Sequence, residues 1–255
     1  MVADIRREEI CTLLKSHSAV STATLAERFG VSIETIRKDL LFLENESKLV
    51  RVHGGAVAHS STKPYLNLSK RMNSMRTEKF EISCIASSLI KNGDIIAVDT
   101  GSTAIEFINV LKDRFDTLTI VTHSMDVFQR ACNHKNFNII LCGGYYLQNE
   151  NSFYGSFTTD MLDKIHVEKS FIFPYALSLK NGICDLNPQL SEIQKKLFSI
   201  GDEIVILADS SKYEKSALLK VSDMNPCYTY ISDTKLSEEI KAVYRNNDIN
   251  IITKD

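Results

Sequence analysis

The pattern that most limits the fold lies in the last two thirds of the chain. From Thr77 onward, helical stretches alternate with short apolar runs: DIIAVD, LTIVT, FNIILC, SFIF, EIVILA, CYTYIS and NIIT. Runs this short read as strands, and strands separated by helices pair in parallel through βαβ crossovers. The expected architecture over residues 76–255 is a mainly parallel, doubly wound α/β domain. In such a sheet the C-terminal strand ends lie along one edge, where ligands bind. DIIAVD ends at Asp99 and leads into TGST. LTIVT leads into His123, FNIILC into Gly143-Gly144, and EIVILA into Asp209 and Lys212. Four segments distant in sequence are therefore expected to converge on one cleft.

Within that cleft TGST has a mechanism. Gly101 lets the backbone approach a ligand, and the N–H groups of Ser102, Thr103 and Ala104 at a helix start, with two hydroxyls, make an anion site. A phosphate fits it. Lys212 would supply opposing charge, and Asp99 or Asp209 would bind sugar hydroxyls. A plain helix cap has the same residue types, so TGST alone leaves both readings open. For His123 the simplest role is a hydrogen bond at a strand end.

The N-terminal part has a different rhythm. Residues 4–16 read as a helix with Ile5, Ile10, Leu13 and Leu14 along one side. HSAVST follows as a polar break. A second helix, Ala23 to Phe29, stops at Gly30, and Ser32 caps a third in which Ile33, Ile36, Leu40 and Leu43 face inward. KLVRVHGGAVA reads as two short strands around Gly54-Gly55. Helix, turn, helix and hairpin make a winged helix-turn-helix over residues 1–57. Residues 58–75 are polar, contain Pro64 and read as a linker. The third helix turns Ser32, Glu34, Thr35, Arg37 and Lys38 outward, and the hairpin adds Arg51 and His53. Such a helix entering a major groove N-terminus first sets these groups against base edges and phosphates. An ordinary solvated helix face has much the same composition.

Charge does not decide the matter. The net charge is −2, and bases balance acids over residues 1–57. A hydrophobic content of 44% implies a packed core. The longest apolar runs are far short of a membrane span, and MVADIRREEI lacks the apolar segment of a signal peptide, so a cytoplasmic location is expected. The six cysteines form no CxxC or CxxH pair; they are expected as small buried hydrophobes, with no metal site.

The stretch SIETIRKDLLFLENESKLVRVHGGA resembles the signature of DeoR-family bacterial transcription regulators, spanning turn, helix and wing together. The likeness continues through EKFEISCIASSLIKNGDIIAVDTGST, Gly143-Gly144, Gly155, Gly182, Glu192 and ADSSKY. It implies that Ser32, Thr35, Arg37 and Lys38 read DNA, with Arg51 and His53 in the wing. It implies a sensor domain similar to ribose-5-phosphate isomerase that binds a phosphorylated sugar or related metabolite and performs no chemistry, with no cofactor. By position the effector residues are Lys79, Asp99, Gly101, Ser102, Thr103, His123, Gly143, Gly144, Glu192, Asp209 and Lys212. Double-stranded DNA, the effector and further copies of the chain, as dimer or tetramer, are the implied partners. Four departures stand out. Lys38 replaces a usual arginine, losing its bidentate fork. His123 replaces asparagine, FPYALS replaces a GADGIS-like loop, and Leu147 stands where many members carry arginine. The competing reading is a sugar-phosphate isomerase or transferase with an appended DNA-binding domain, using Asp99, Asp209, Glu192 and Lys212.

Overall fold

A computed structural model describes residues 3–17, 19–46, 48–52, 54–58 and 68–254. His53, Pro64 and residues 59–67 lie outside the described residues. The chain divides into two units, Met1–Leu66 and Asn67–Asp255.

In the first unit, helices α1 (Ala3–His17), α2 (Thr22–Phe29) and α3 (Ile33–Asn45) pack with strands β1 (Ala19–Ser21), β2 (Leu49–Val52) and β3 (Gly55–Ala58). The strands form an antiparallel sheet in the order β1-β3-β2. Part of HSAVST, expected as a break, is therefore a strand. Local chemistry sets the turns. Ser21 Oγ accepts from Thr24 N–H at 3.0 Å and starts α2. Gly30, at φ 63°, ends it, with Val31 N–H donating to Ala26 O at 3.1 Å. Ser32 Oγ then accepts from Thr35 N–H at 3.1 Å to open α3. The core holds Ile10, Leu14, Leu25, Ile36, Leu40, Leu43, Leu49 and Ala56. Two residues expected inside are not there: Ile5 is 53% and Ile33 45% exposed. Each lies N-terminal to the buried apolar stripe of its helix, which begins at Ile10 in α1 and at Ile36 in α3. Arg6 is buried instead, its Nε donating to Asp39 Oδ2 at 2.6 Å, while Arg7 Nε donates to Oδ1 at 2.9 Å. The Asp39 carboxylate thus fastens α1 to α3.

The second unit opens with α4 (Leu68–Asn73), inside the expected linker, and α5 (Arg76–Ser87). Then follow β4 (Ile95–Val98), α6 (Ser102–Arg114), β5 (Leu118–Thr122), α7 (Met125–Ala131) and β6 (Phe137–Leu141). A ribbon, β7 (Tyr145–Leu147) and β8 (Ser152–Tyr154), precedes α8 (Ser156–Leu162) and β9 (Val167–Ile172). Next come β10 (Ala176–Ser178), β11 (Gly182–Asp185), α9 (Pro188–Ile200) and β12 (Gly201–Leu207). The chain finishes with β13 (Leu219–Ser222), β14 (Thr229–Ile231), α10 (Glu238–Arg245) and β15 (Ile251–Ile252).

The seven runs singled out in the sequence all form the main sheet, ordered β15-β14-β12-β9-β4-β5-β6 with every neighbouring pair parallel. From β4 the winding proceeds one way through β5 and β6, and from β9 the other way through β12, β14 and β15. The seam between β4 and β9 is the topological switch point, where an open sheet leaves a crevice. The antiparallel β10-β11-β13 sheet and the β7-β8 ribbon are additions that the alternation of periods did not reveal. Of the cysteines only Cys142 and Cys184 are buried; Cys11 and Cys84 are half-buried, and Cys132 and Cys227 are exposed. The expectation of six buried thiols is corrected: Cys132 ends α7 and Cys227 sits in the turn before β14, both surface positions. Among the described residues no helix is long and apolar enough to cross a membrane.

Candidate functional site

Two regions carry the candidate residues. On the first unit, the start of α3 is exposed. Ser32, Glu34, Arg37 and Lys38 are exposed and Thr35 is half-buried. Ser32 Oγ and Thr35 Oγ1 lie 2.9 Å apart, so the cap holds both hydroxyls in one place. Arg37 Nη1 lies 3.3 Å from Glu34 Oε2, a solvated i,i+3 pair that holds the guanidinium only weakly. In the wing, Arg51 N–H donates to Glu44 Oε1 at 3.0 Å, and its guanidinium pairs with the same carboxylate at 3.6 Å. The glycine pair at the start of β3 has two separate uses. Gly54 takes φ 85°, left-handed backbone that favours glycine, and a Cβ at Gly55 would overlap Val20 O of β1. The wing can lie against β1 only because position 55 has no side chain.

On the second unit the strand ends meet at the seam around Asp99, which is fully buried. Its carboxylate accepts three hydrogen bonds and faces a histidine ring nitrogen. Oδ1 receives Thr100 N–H at 2.7 Å and faces His123 Nε2 at 3.0 Å; Oδ2 receives Gln194 Nε2–H at 2.9 Å and Phe173 N–H at 3.3 Å. These donors come from both sides of the switch point. The acceptor capacity of a carboxylate is then essentially used. Asp99 thereby ties the two sides of the switch point together. His123 is anchored on its other side as well, with Nδ1 2.9 Å from Phe153 O.

Beside this clasp, α6 begins at Gly101, φ 130°, without any side-chain cap, so the first N–H groups of the helix are not met by a capping side chain. Thr103 is 1% exposed and its Oγ1 has no partner. Among the other buried side-chain atoms without a partner in the described residues are Glu150 Oε1 and Gln194 Oε1. They belong to the same neighbourhood, since Thr100 Oγ1 lies 3.2 Å from Ser124 Oγ and 3.5 Å from Glu150 O, and Gln194 is bonded to Asp99. Arg71, from α4, pairs with Glu150. A Cβ at Gly144 would overlap Thr158 Oγ1 and Tyr154 O, which explains a glycine where β6 hands over to the ribbon. Thr158 Oγ1 also donates to Gly143 O at 3.1 Å.

The cations are committed to the protein. Lys79 is buried and its Nζ donates to Arg71 O at 2.5 Å and Ser74 O at 2.6 Å, closing the end of α4. Burial lowers its pKa to about 8, against the opposing pull of Asp209. Lys212 Nζ donates to Pro174 O, and burial likewise lowers its pKa, with Asp209 pulling it back up. Asp209 accepts from Ser211 N–H at 3.1 Å and heads the short 3-10 turn Ser210–Lys212. Asp185, at the end of β11, is raised to about 6 by burial and then by the charge of Asp99. Glu192, expected in the cleft, is exposed on α9; Gln194, two residues on, makes the inward contact. Sequence reasoning missed Gln194, Asp185, Arg71 and Glu150. None stands at the end of a main-sheet strand, and Arg71 lay in the presumed linker. Leu147 is half-buried in β7, and FPYALS supplies the Phe173 N–H to Asp99 and the Pro174 carbonyl to Lys212. Among the described residues no cluster of three His, Cys, Asp or Glu side chains has the arrangement of a metal site.

Residues 6–62 match the DeoR-like helix-turn-helix domain, and residues 74–234 match the DeoR C terminal sensor domain. The chain is 30% identical over 236 residues to the HTH-type transcriptional regulator YulB of Bacillus subtilis, covering 92% of this chain and 91% of that one. It is 28% identical to the L-fucose operon activator of Haemophilus influenzae, covering 96% and 97%. It is 29% identical to the lactose phosphotransferase system repressor of Lactococcus lactis, covering 92% of each. These relatives are transcription regulators, not enzymes.

Proposed function

Because the chain belongs to the DeoR family of transcription regulators, we propose that it represses a sugar-utilisation operon and is released from its operator by a phosphorylated sugar or related metabolite. The carrying observation is the set of unsatisfied groups in the cleft: the uncapped start of α6, the orphan Thr103 hydroxyl, and the orphan acceptors Glu150 Oε1 and Gln194 Oε1. Buried polar atoms without partners cost free energy, and a ligand in the cleft would supply partners to these. The helix start with Thr103 suits an anionic group. Glu150 Oε1 and Gln194 Oε1 need donors, which the hydroxyls of a sugar supply. Arg71 brings to this neighbourhood a guanidinium of the kind that Leu147 lacks. The names of the relatives, regulators of fucose and lactose genes, point to the same class of metabolite.

At the other unit, Ser32, Thr35, Arg37 and Lys38 read a half-site in the major groove, with Glu34 released from Arg37 on contact and Arg51 and His53 on the flanking backbone. Two heads on a symmetric operator require at least a dimer. The effector shifts the population toward a sensor state in which the heads no longer match the half-site spacing. A thermal-shift series with phosphorylated sugars tests the sensor reading: stabilisation by one of them in the wild type, lost in Thr103→Ala while operator binding in a gel shift is retained, is the expected result. No shift with any sugar phosphate, or loss of operator binding in folded Thr103→Ala, contradicts it.

A further inference from the structure

The sensor unit opens on α4, a helix of six residues. A helix this short has no stability of its own in water and stands where the fold holds it. Met75, at φ 52°, separates it from α5 with left-handed backbone, so the two helices are distinct bodies meeting at a bend. Lys79 Nζ, from α5, donates to the carbonyls of Arg71 and Ser74 at the end of α4. Leu68, at its start, is buried. A further hold reaches across the chain: the Arg71 guanidinium pairs with Glu150, 79 residues on. Glu150, in the turn between β7 and β8, is fully buried; Oε2 faces Arg71, and Oε1 has no partner among the described residues. Its backbone carbonyl is 3.5 Å from Oγ1 of Thr100, the first residue of TGST. Met72 and Asn73 of α4 in turn line one cavity of about 260 Å³ with Lys79, Ser102 and Ile105. The helix α4 therefore borders the start of α6 and is tied to the cleft through Arg71.

We infer that the Arg71–Glu150 pair is a latch through which the sensor cleft controls α4, and with it the tether of the DNA-binding unit. The inference rests on the reading above, that the cleft takes an anionic effector which releases the operator. An anion at the start of α6 competes with Glu150 for the guanidinium, because both accept the same charge-assisted hydrogen bonds. The hydroxyls of the same ligand meet the orphan Oε1 and so compensate the carboxylate that Arg71 leaves. Once the pair parts, α4 loses its side-chain tie to the cleft, and the cavity against α6 gives it room to move. Nine residues, 59–67, separate Ala58 at the end of β3 from Leu68 at the start of α4. A shift of α4 therefore moves the point from which the DNA-binding unit is held. Coupling of this kind is reciprocal, so the operator-bound state is the one with the latch closed.

The test uses the full chain without any added ligand, as wild type, Arg71→Met, the double variant Arg71→Met with Glu150→Gln, and Lys196→Met as a control. Lys196 pairs with Asp163, an ion pair of the same unit between α8 and α9. Opening the latch by mutation imitates the effector. Operator affinity in a gel shift on the chain's own upstream region should fall about tenfold in both Arg71 variants, and hydrogen exchange over residues 68–76 should quicken about tenfold, as for a locally freed helix. The control should do neither. The double variant separates coupling from stability. It leaves no unpaired buried charge, so its melting temperature should return towards that of the wild type while operator binding stays weak. Arg71 variants that bind operator within about twofold of wild type overturn the inference, since a tie worth less than RT in coupling carries no signal. So does operator binding that recovers in the double variant together with the melting temperature, because the pair is then only structural. A wild type with no preference for its upstream region over scrambled duplex is a different failure: it defeats the regulator reading, and the latch falls with it.

Discussion

Replacing Asp39 by alanine should unfold the helix-turn-helix unit and leave the sensor unit standing. Asp39 is 2% exposed and receives Arg6 Nε at 2.6 Å and Arg7 Nε at 2.9 Å; Arg6 is itself 6% exposed. Removing one member of a buried pair costs about 3–5 kcal/mol, because the remaining charge stays in a low-dielectric site without its carboxylate. A unit of this size has a total stability of only about 3–9 kcal/mol at typical per-residue values. The loss therefore consumes most or all of it. Arg7 suffers less, being partly exposed and stacked over Phe42 at 3.8 Å. Urea denaturation followed by circular dichroism should show an early transition for the small unit and an unshifted one for the sensor. Operator binding should vanish while any effector-induced thermal shift persists. The double variant Arg6→Leu with Asp39→Leu should recover part of the loss, since apolar replacement of a buried pair is often neutral. An Asp39→Ala protein that stays within about 1 kcal/mol of wild type and still binds operator would refute the clasp as the tie between α1 and α3, because it falls below the cost of a buried charge.

Three further outcomes follow from the geometry. Gly55→Ala places a Cβ against Val20 O and should cost about 1–3 kcal/mol as an overpacking defect, with β1 displaced from the wing and weaker operator binding in a titrated gel shift. Arg37→Ala should weaken binding to the operator by about 1–3 kcal/mol if it reads a base, and should leave the effector-induced thermal shift unchanged. Asp185 is held in the fold at a pKa of about 6, above its ordinary 3.8, so protonation favours the folded state. Its charge penalises the fold by about 3 kcal/mol above pH 6, at 1.36 kcal/mol per unit, and the penalty fades as pH falls from 6 towards 4. Asp185→Asn should therefore be more stable than wild type at pH 7.5, with the difference in urea midpoint closing at pH 4.5; a pH-independent difference would contradict the burial argument.

The sequence made the sheet legible because parallel strands, buried on both faces, are continuous apolar runs; each of the seven runs became a strand. Gly30 and Ser32 were readable for a similar reason, since a left-handed stop and an oxygen cap are local chemistry. The failures were tertiary. Whether Ile5 and Ile33 are covered depends on what packs opposite them, which periodicity does not encode. Gln194 and Asp185 reach the cleft from a helix and from a separate antiparallel sheet, so a rule based on strand ends passes over both. Asp99 was recognised by position, but its role was not: the three N–H donors and the histidine that meet it come from segments far apart in the chain.

The seam of the sheet holds one more consequence. Here an imidazole faces a carboxylate at one nitrogen and a backbone carbonyl at the other. A ring with a single hydrogen answers only one of those two acceptors. One imidazole near the point where the winding reverses therefore bridges the buried carboxylate of Asp99 and the backbone of the ribbon.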